Sequence, residues 1–162
     1  MAKAITLQNK PNVVSNFYPA DDQWEFRQYP IKASTAMVEG AALSPEISSN
    51  DVTGKLTLMG VENANGSDFF GILAEPIVST DPDYASATKE KGVRVPMTPY
   101  ARAYFKVGAG TFTAADLFKT VELHSDSASL AVDTLGKGAR ILEFISSTQG
   151  ICRFTLPETE VA

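Results

Sequence analysis

The chain has 162 residues, 44% of them hydrophobic, and a formal net charge of −5, which suits one compact core and opposes broad contact with nucleic acid. It holds no run of about 18 apolar residues, so no helical membrane span is expected, and "MAKAITLQNK" lacks the apolar stretch of a secretory signal, so synthesis in the cytoplasm is expected. The single cysteine, Cys152, excludes an intramolecular disulfide, and the alternation of "GICRFTLP" gives it a place in a core.

In chain order, residues 1–30 come first. Here Phe17, Tyr18, Trp24 and Phe26 are scattered among polar residues with Pro11, Pro19 and Pro30, and no single period fits. A segment too polar to fold alone yet rich in aromatic anchors predicts an extended N-terminal arm that orders on a partner. A coil packed across its own domain is the alternative. Residues 31–162 read as a single β domain. Short apolar runs bounded by turn residues, among them "GKLTLMGV", "GVRVPM", "YARAYFKV", "ARILEFIS" and "GICRFTLP", predict about seven short strands, an all-β fold built as a small β-barrel or β-sandwich. A polar loop is expected at 79–91, "STDPDYASATKEK". One short helix is expected near 114–121, started by Thr113 as its cap with Asp116 three residues on. Leu56, Leu58, Phe70, Ile72, Leu73, Phe105, Leu130, Ile141, Leu142, Phe144 and Phe154 are the expected members of one core.

Two stretches are weakly alike. "GKLTLMGVENANGSDFFGILAEPIVS" and "ASLAVDTLGKGARILEFISS" each run strand, polar turn, strand and carboxylate, which sets Leu73 against Ile141 and Glu75 against Glu143. Charge is also segregated. Residues 89–106 carry +4, from Lys89, Lys91, Arg94, Arg102 and Lys106 against Glu90, which leaves −9 on the rest. In a strand, Tyr100, Arg102, Tyr104 and Lys106 share one face while Ala101, Ala103, Phe105 and Val107 share the other, so the first face is exposed or docked. The candidate interaction residues are therefore Arg94, Tyr100, Arg102, Tyr104 and Lys106, with Phe17, Tyr18, Trp24 and Phe26 from the arm.

No catalytic residue, cofactor site or metal site is assigned. The lone histidine, His124, has no partner set, and no "GxSxG" elbow supplies a nucleophile. Asp81 and Asp83 lack the further oxygen ligands of a calcium loop. The glycines of "GAG" at 108–110 are followed by Thr113 where a dinucleotide fingerprint needs a third glycine, so they read as a tight turn.

"IKASTAMVEGAALSPEISSNDVTGKLTLMGV", followed by "FFGILAEPI", resembles the head decoration, or structural cement, proteins of tailed bacteriophages. The late stretch "FTAADLFKTVELHSDSASLAVDTLGKGARILEFISS", with "GICRFTLP" after it, is similar to the closing half of the same proteins, and the resemblance runs over roughly Ile31 to Pro157. It implies a non-enzymatic auxiliary capsid protein on the virion exterior that clamps subunits of the major capsid protein, with self-association such as a trimer and no direct contact with nucleic acid or membrane. A carbohydrate-binding or adhesin module and a tail-tube or other virion component are the alternative readings.

Overall fold

Eleven short strands and no α-helix make up residues 16–61 and 69–155, the part of the chain that the computed structural model describes. The fold is all-β, as the alternating runs require. Strands β2 (Trp24–Pro30), β3 (Ala42–Ser48), β4 (Asp51–Leu58), β5 (Gly71–Leu73) and β6 (Glu90–Pro96) form one sheet in the order β2-β6-β5-β3-β4. Strands β1 (Tyr18–Pro19), β7 (Ala103–Ala109), β8 (Thr120–Leu123), β9 (Leu130–Leu135), β10 (Ala139–Ser146) and β11 (Gln149–Phe154) form the other, in the order β1-β7-β11-β10-β8-β9.

Each sheet closes on itself. In the second, β7 also pairs with β9 in parallel at Val107–Leu130 and Ala109–Ala131, which makes a ring of five strands. In the first, a parallel bridge joins Ile31 to Leu56, and the Lys32 amide donates to the Leu56 carbonyl at 2.9 Å. The two rings share one topology down to the register. The pairs Arg27–Val93 and Leu73–Val93 of the first barrel answer to Ala103–Cys152 and Ile141–Cys152 of the second. Leu43–Gly71 answers to Val121–Ala139, and Ile31–Leu56 to Val107–Leu130. The weak likeness in the sequence thus falls on the third and fourth strands of two equivalent barrels, with Leu73 and Ile141 at matching positions.

Two cores result where one was expected. Ile31, Met37, Leu43, Leu56, Leu73, Ile77 and Val93 fill the first barrel. Phe105, Val121, Leu123, Leu130, Val132, Ile141, Cys152 and Phe154 belong to the second, whose cluster extends to Ala42 and Ile72 on the outer face of the first barrel. The joint between them is aromatic: Phe69 stacks on Phe154 with centroids 3.8 Å apart, and Phe17 and Trp24 meet this pair edge-on. Backbone bonds add to it, from the Ala42 amide to the Ser127 carbonyl at 2.7 Å and from Leu123 to Val61 at 2.6 Å.

Three expectations change. Residues 16–30 are no arm: Phe17 is buried, and β2 pairs with β6 along its whole length. The aromatics lack a period because they serve both barrels in turn. Residues 1–15 lie outside the described residues. The helix near 114–121 is one 3₁₀ turn, Ala114–Asp116, since Phe118 takes a left-handed φ of 72° and Val121 and Leu123 must alternate into the second core from Thr120 onward. Its capping box is as the sequence predicts, with Thr113 and Asp116 each bonding the other's amide region. Phe144, expected inside, is 40% exposed, because β10 has register irregularities at Ile141/Glu143 and Phe144/Ser146 that turn its end outward. Leu58, Phe70 and Leu142 are only partly buried.

Two outcomes follow from this packing. Phe105→Ala removes a fully buried ring and is expected to cost about 3–5 kcal/mol, whereas Phe144→Ala should cost clearly less; urea melts of the two variants compare them. The Lys119 ammonium and then the Thr113 amide hold the Asp116 carboxyl below the usual aspartate range. A lowered folded-state pKa gives stability that is present above the unfolded value of about 3.9 and is lost as pH falls through the folded value. Asp116→Asn should therefore lower the melting temperature at neutral pH, and its gap from the parent should narrow in scans at about pH 2.5.

Candidate docking surface

Among the described residues, no group of three or more His, Cys, Asp or Glu side chains is placed to hold a metal. Cys152 is fully buried, and burial pushes its thiol pKa well up, which removes the thiolate that a nucleophile needs. His124 opens the turn to Ser129, its amide bonded to the Ser129 carbonyl at 2.8 Å. The glycine turn at 108–110 offers no anion cradle: the Thr111 amide donates to Asp133 Oδ2 at 3.1 Å, and Gly110 (φ 89°) lies so close to that carboxylate that an added Cβ would sit 2.8 Å from it. Asp83 pairs with Lys91 at 3.1 Å and Asp81 accepts the Val78 amide at 2.9 Å, so both carboxylates have structural duties in the polar loop.

The basic stretch is dispersed by the fold. Lys89 is buried, with Nζ donating to the Tyr84 carbonyl at 2.8 Å. Arg102 meets Glu143 at 2.7 Å and Asp21 at 4.0 Å. Arg94 lies over the Tyr18 ring, 5.0 Å from its centroid, and Arg153 over Tyr100 at 5.4 Å. Lys106 is partly buried and makes no ion pair among the described residues.

Of the expected stripe, Tyr100 is 71% exposed and Arg102 partly so, but Tyr104 is only 7% exposed. Its register partners, Tyr18 on β1 and Ile151 on β11, flank it on the outer face. Alternation did place Ala103 and Phe105 inward; what it could not show was a strand arriving beside Tyr104. Among the arm aromatics, Phe17 is in the core and Trp24 packs on Phe69 with its indole N–H bonded to the Arg102 carbonyl at 3.0 Å. Phe26 alone stands out from the surface.

Other exposed apolar side chains were missed. Phe118 is 67% exposed and Leu135 70% exposed, and both border Thr120: Phe118 precedes it by two residues, and the amide next to Leu135, that of Gly136, donates to the Thr120 carbonyl. Phe118 combines exposure with a left-handed backbone, a conformation that costs a non-glycine residue about 1–3 kcal/mol. In the sequence it passed as part of a helix, and only the neighbouring "LGKG" turn hinted that this edge ends in solvent.

Against protein-family models, curated proteins and solved structures, the chain shows no match.

Arg102→Gln should remove two attractions that are partly exposed to screening solvent, one of them at the long distance of 4.0 Å, so a loss of no more than about 1 kcal/mol is expected. A thermal melt at low salt and again at 1 M NaCl checks this: the variant's deficit should shrink at high salt.

Proposed function

We propose that the protein is a non-enzymatic auxiliary capsid protein that sits on the outside of a tailed-phage head and clamps neighbouring subunits of its major capsid protein. The observation that carries the reading is the exposed pair Phe118 and Leu135, apolar side chains kept on the edge of a well-packed barrel, one of them in a strained backbone. Large exposed apolar groups of this kind suit a docking face more than a solvated one. The resemblance to decoration proteins supports it as well, since the stretches that carry it supply strands to both barrels. The mechanism is mechanical: each bound copy adds interface that must be broken before the shell can open, so binding to the assembled shell stabilises it by mass action.

Co-sedimentation with undecorated heads tests the reading. The parent should bind saturably and raise the temperature at which heads release DNA. Phe118→Ser with Leu135→Ser should weaken binding about 10-fold or more, as loss of two interface anchors does, while melting of the free protein is kept or improved. Absence of parent binding to any such shell would overturn the proposal.

A further inference from the structure

We infer that β2 is a self-pairing edge, through which two copies of the chain join antiparallel about a twofold axis at Phe26. In the second barrel the strand equivalent to β2 is β7, and its edge at Ala103 and Tyr104 is covered by β1, an antiparallel strand of only two residues. The matching edge of β2, at Arg27 and Gln28, has no strand beside it among the described residues; β2 meets β4 only at the Ile31–Leu56 bridge. Phe26, Arg27 and Gln28 are all exposed, and Phe26 is 59% so.

The ladder with β6 shows which backbone groups are spare. Antiparallel pairs alternate between those that exchange hydrogen bonds and those that do not. The Ile31 amide bonds to Lys89, and the Met97 amide to the Gln23 carbonyl, which sets the odd-numbered residues of β2 toward β6. Gly92, opposite Gln28, turns its own groups the other way, its amide to Glu75 Oε2 at 2.9 Å and its carbonyl to the Ala74 amide at 2.9 Å. Trp24, Phe26 and Gln28 therefore point N–H and C=O at the open edge. These groups ask for an extended strand.

Charge selects a second copy as that strand, and sets its register. Glu25 and Arg27 share the face opposite Phe26, and among the described residues each has only the other as its ion-pair partner, 2.7 Å away at a solvent-accessible position. With the axis on Phe26, the two Phe26 residues form a hydrogen-bonded pair and Trp24 faces Gln28 of the second copy. Glu25 then opposes Arg27 of the second copy, twice, in the non-hydrogen-bonded pairs where side chains come closest. An axis on Glu25 or Arg27 would instead oppose like charges. The equivalent, covered edge of the second barrel carries no such code: Ala101 and Ala103 stand there, both buried. Isolated charges on an edge strand usually prevent pairing; opposite charges two residues apart are satisfied by an antiparallel copy.

Sedimentation equilibrium on the full chain decides. The parent should show a concentration-dependent dimer. Glu25→Arg and Arg27→Glu each place like charges opposite each other, and should each weaken dimerisation about 10-fold or more, from two cross-strand pairs reversed. Mixing the two variants should restore the dimer as a heterodimer, because every opposed pair is then of opposite sign. Circular dichroism confirms that each variant is folded, and the mixing result shows that a loss comes from the pairing and not from the fold. A monomeric parent, single variants that dimerise like the parent, or a mixture that fails to recover would each overturn the inference.

Discussion

The parallel contact between the first and third strands of each ring is the constraint on which the molecule depends. Ile31 with Leu56 and Val107 with Leu130 bring together residues that neither hairpin formation nor local pairing would join. Without that contact each set of five strands would be an open sheet with its inner side chains half in water. With it, Val93 and Cys152 become interior at matching places, and rings as small as five strands exclude water by side chains alone. The irregularities in β3–β4, β7–β9, β8–β9 and β10–β11 supply the bending that such tight closure needs.

The duplicated topology also explains where the copies differ. On the outer face of the first barrel Ala42 pairs with Ile72, and both join the second barrel's cluster. The matching pair on the second barrel is Thr120 with Arg140, and Arg140 is exposed. One face is apolar because a barrel covers it. On its counterpart the matching position carries the exposed Arg140, and among the described residues no further barrel covers it. The two turns between fourth and fifth strands differ as well: β10 and β11 are joined by a tight turn, whereas β5 and β6 enclose the long polar loop that places Asp83 against Lys91 and Tyr84 against Lys89.

Electrostatics along the chain and electrostatics on the surface are different quantities here. A run of cations reads as a stripe, but Arg102 ends beside Glu143 and Asp21, and Lys89 ends inside. Such pairs contribute little to stability individually. Their effect is to flatten a field that the linear sequence suggested, and so to leave apolar shape, at Phe118, Leu135 and Phe26, as the more distinctive feature of the surface.

By itself the sequence determined what depends on near neighbours. Period-two alternation made the fold all-β, put Phe105 and Cys152 inward, and let Thr113 and Asp116 form their reciprocal cap, since each of these is settled within a few residues. The likeness of the two halves was visible too, at Leu73 and Ile141. Only the tertiary structure decided that there are two closed rings, that Phe17 is core and not arm, that Tyr104 is covered, that Phe144 is turned out, and that no strand among the described residues lies along the edge of β2. Each of those follows from a partner strand far away in the chain, and a strand's alternation says which side chains share a face but not what will arrive against that face or along its edge.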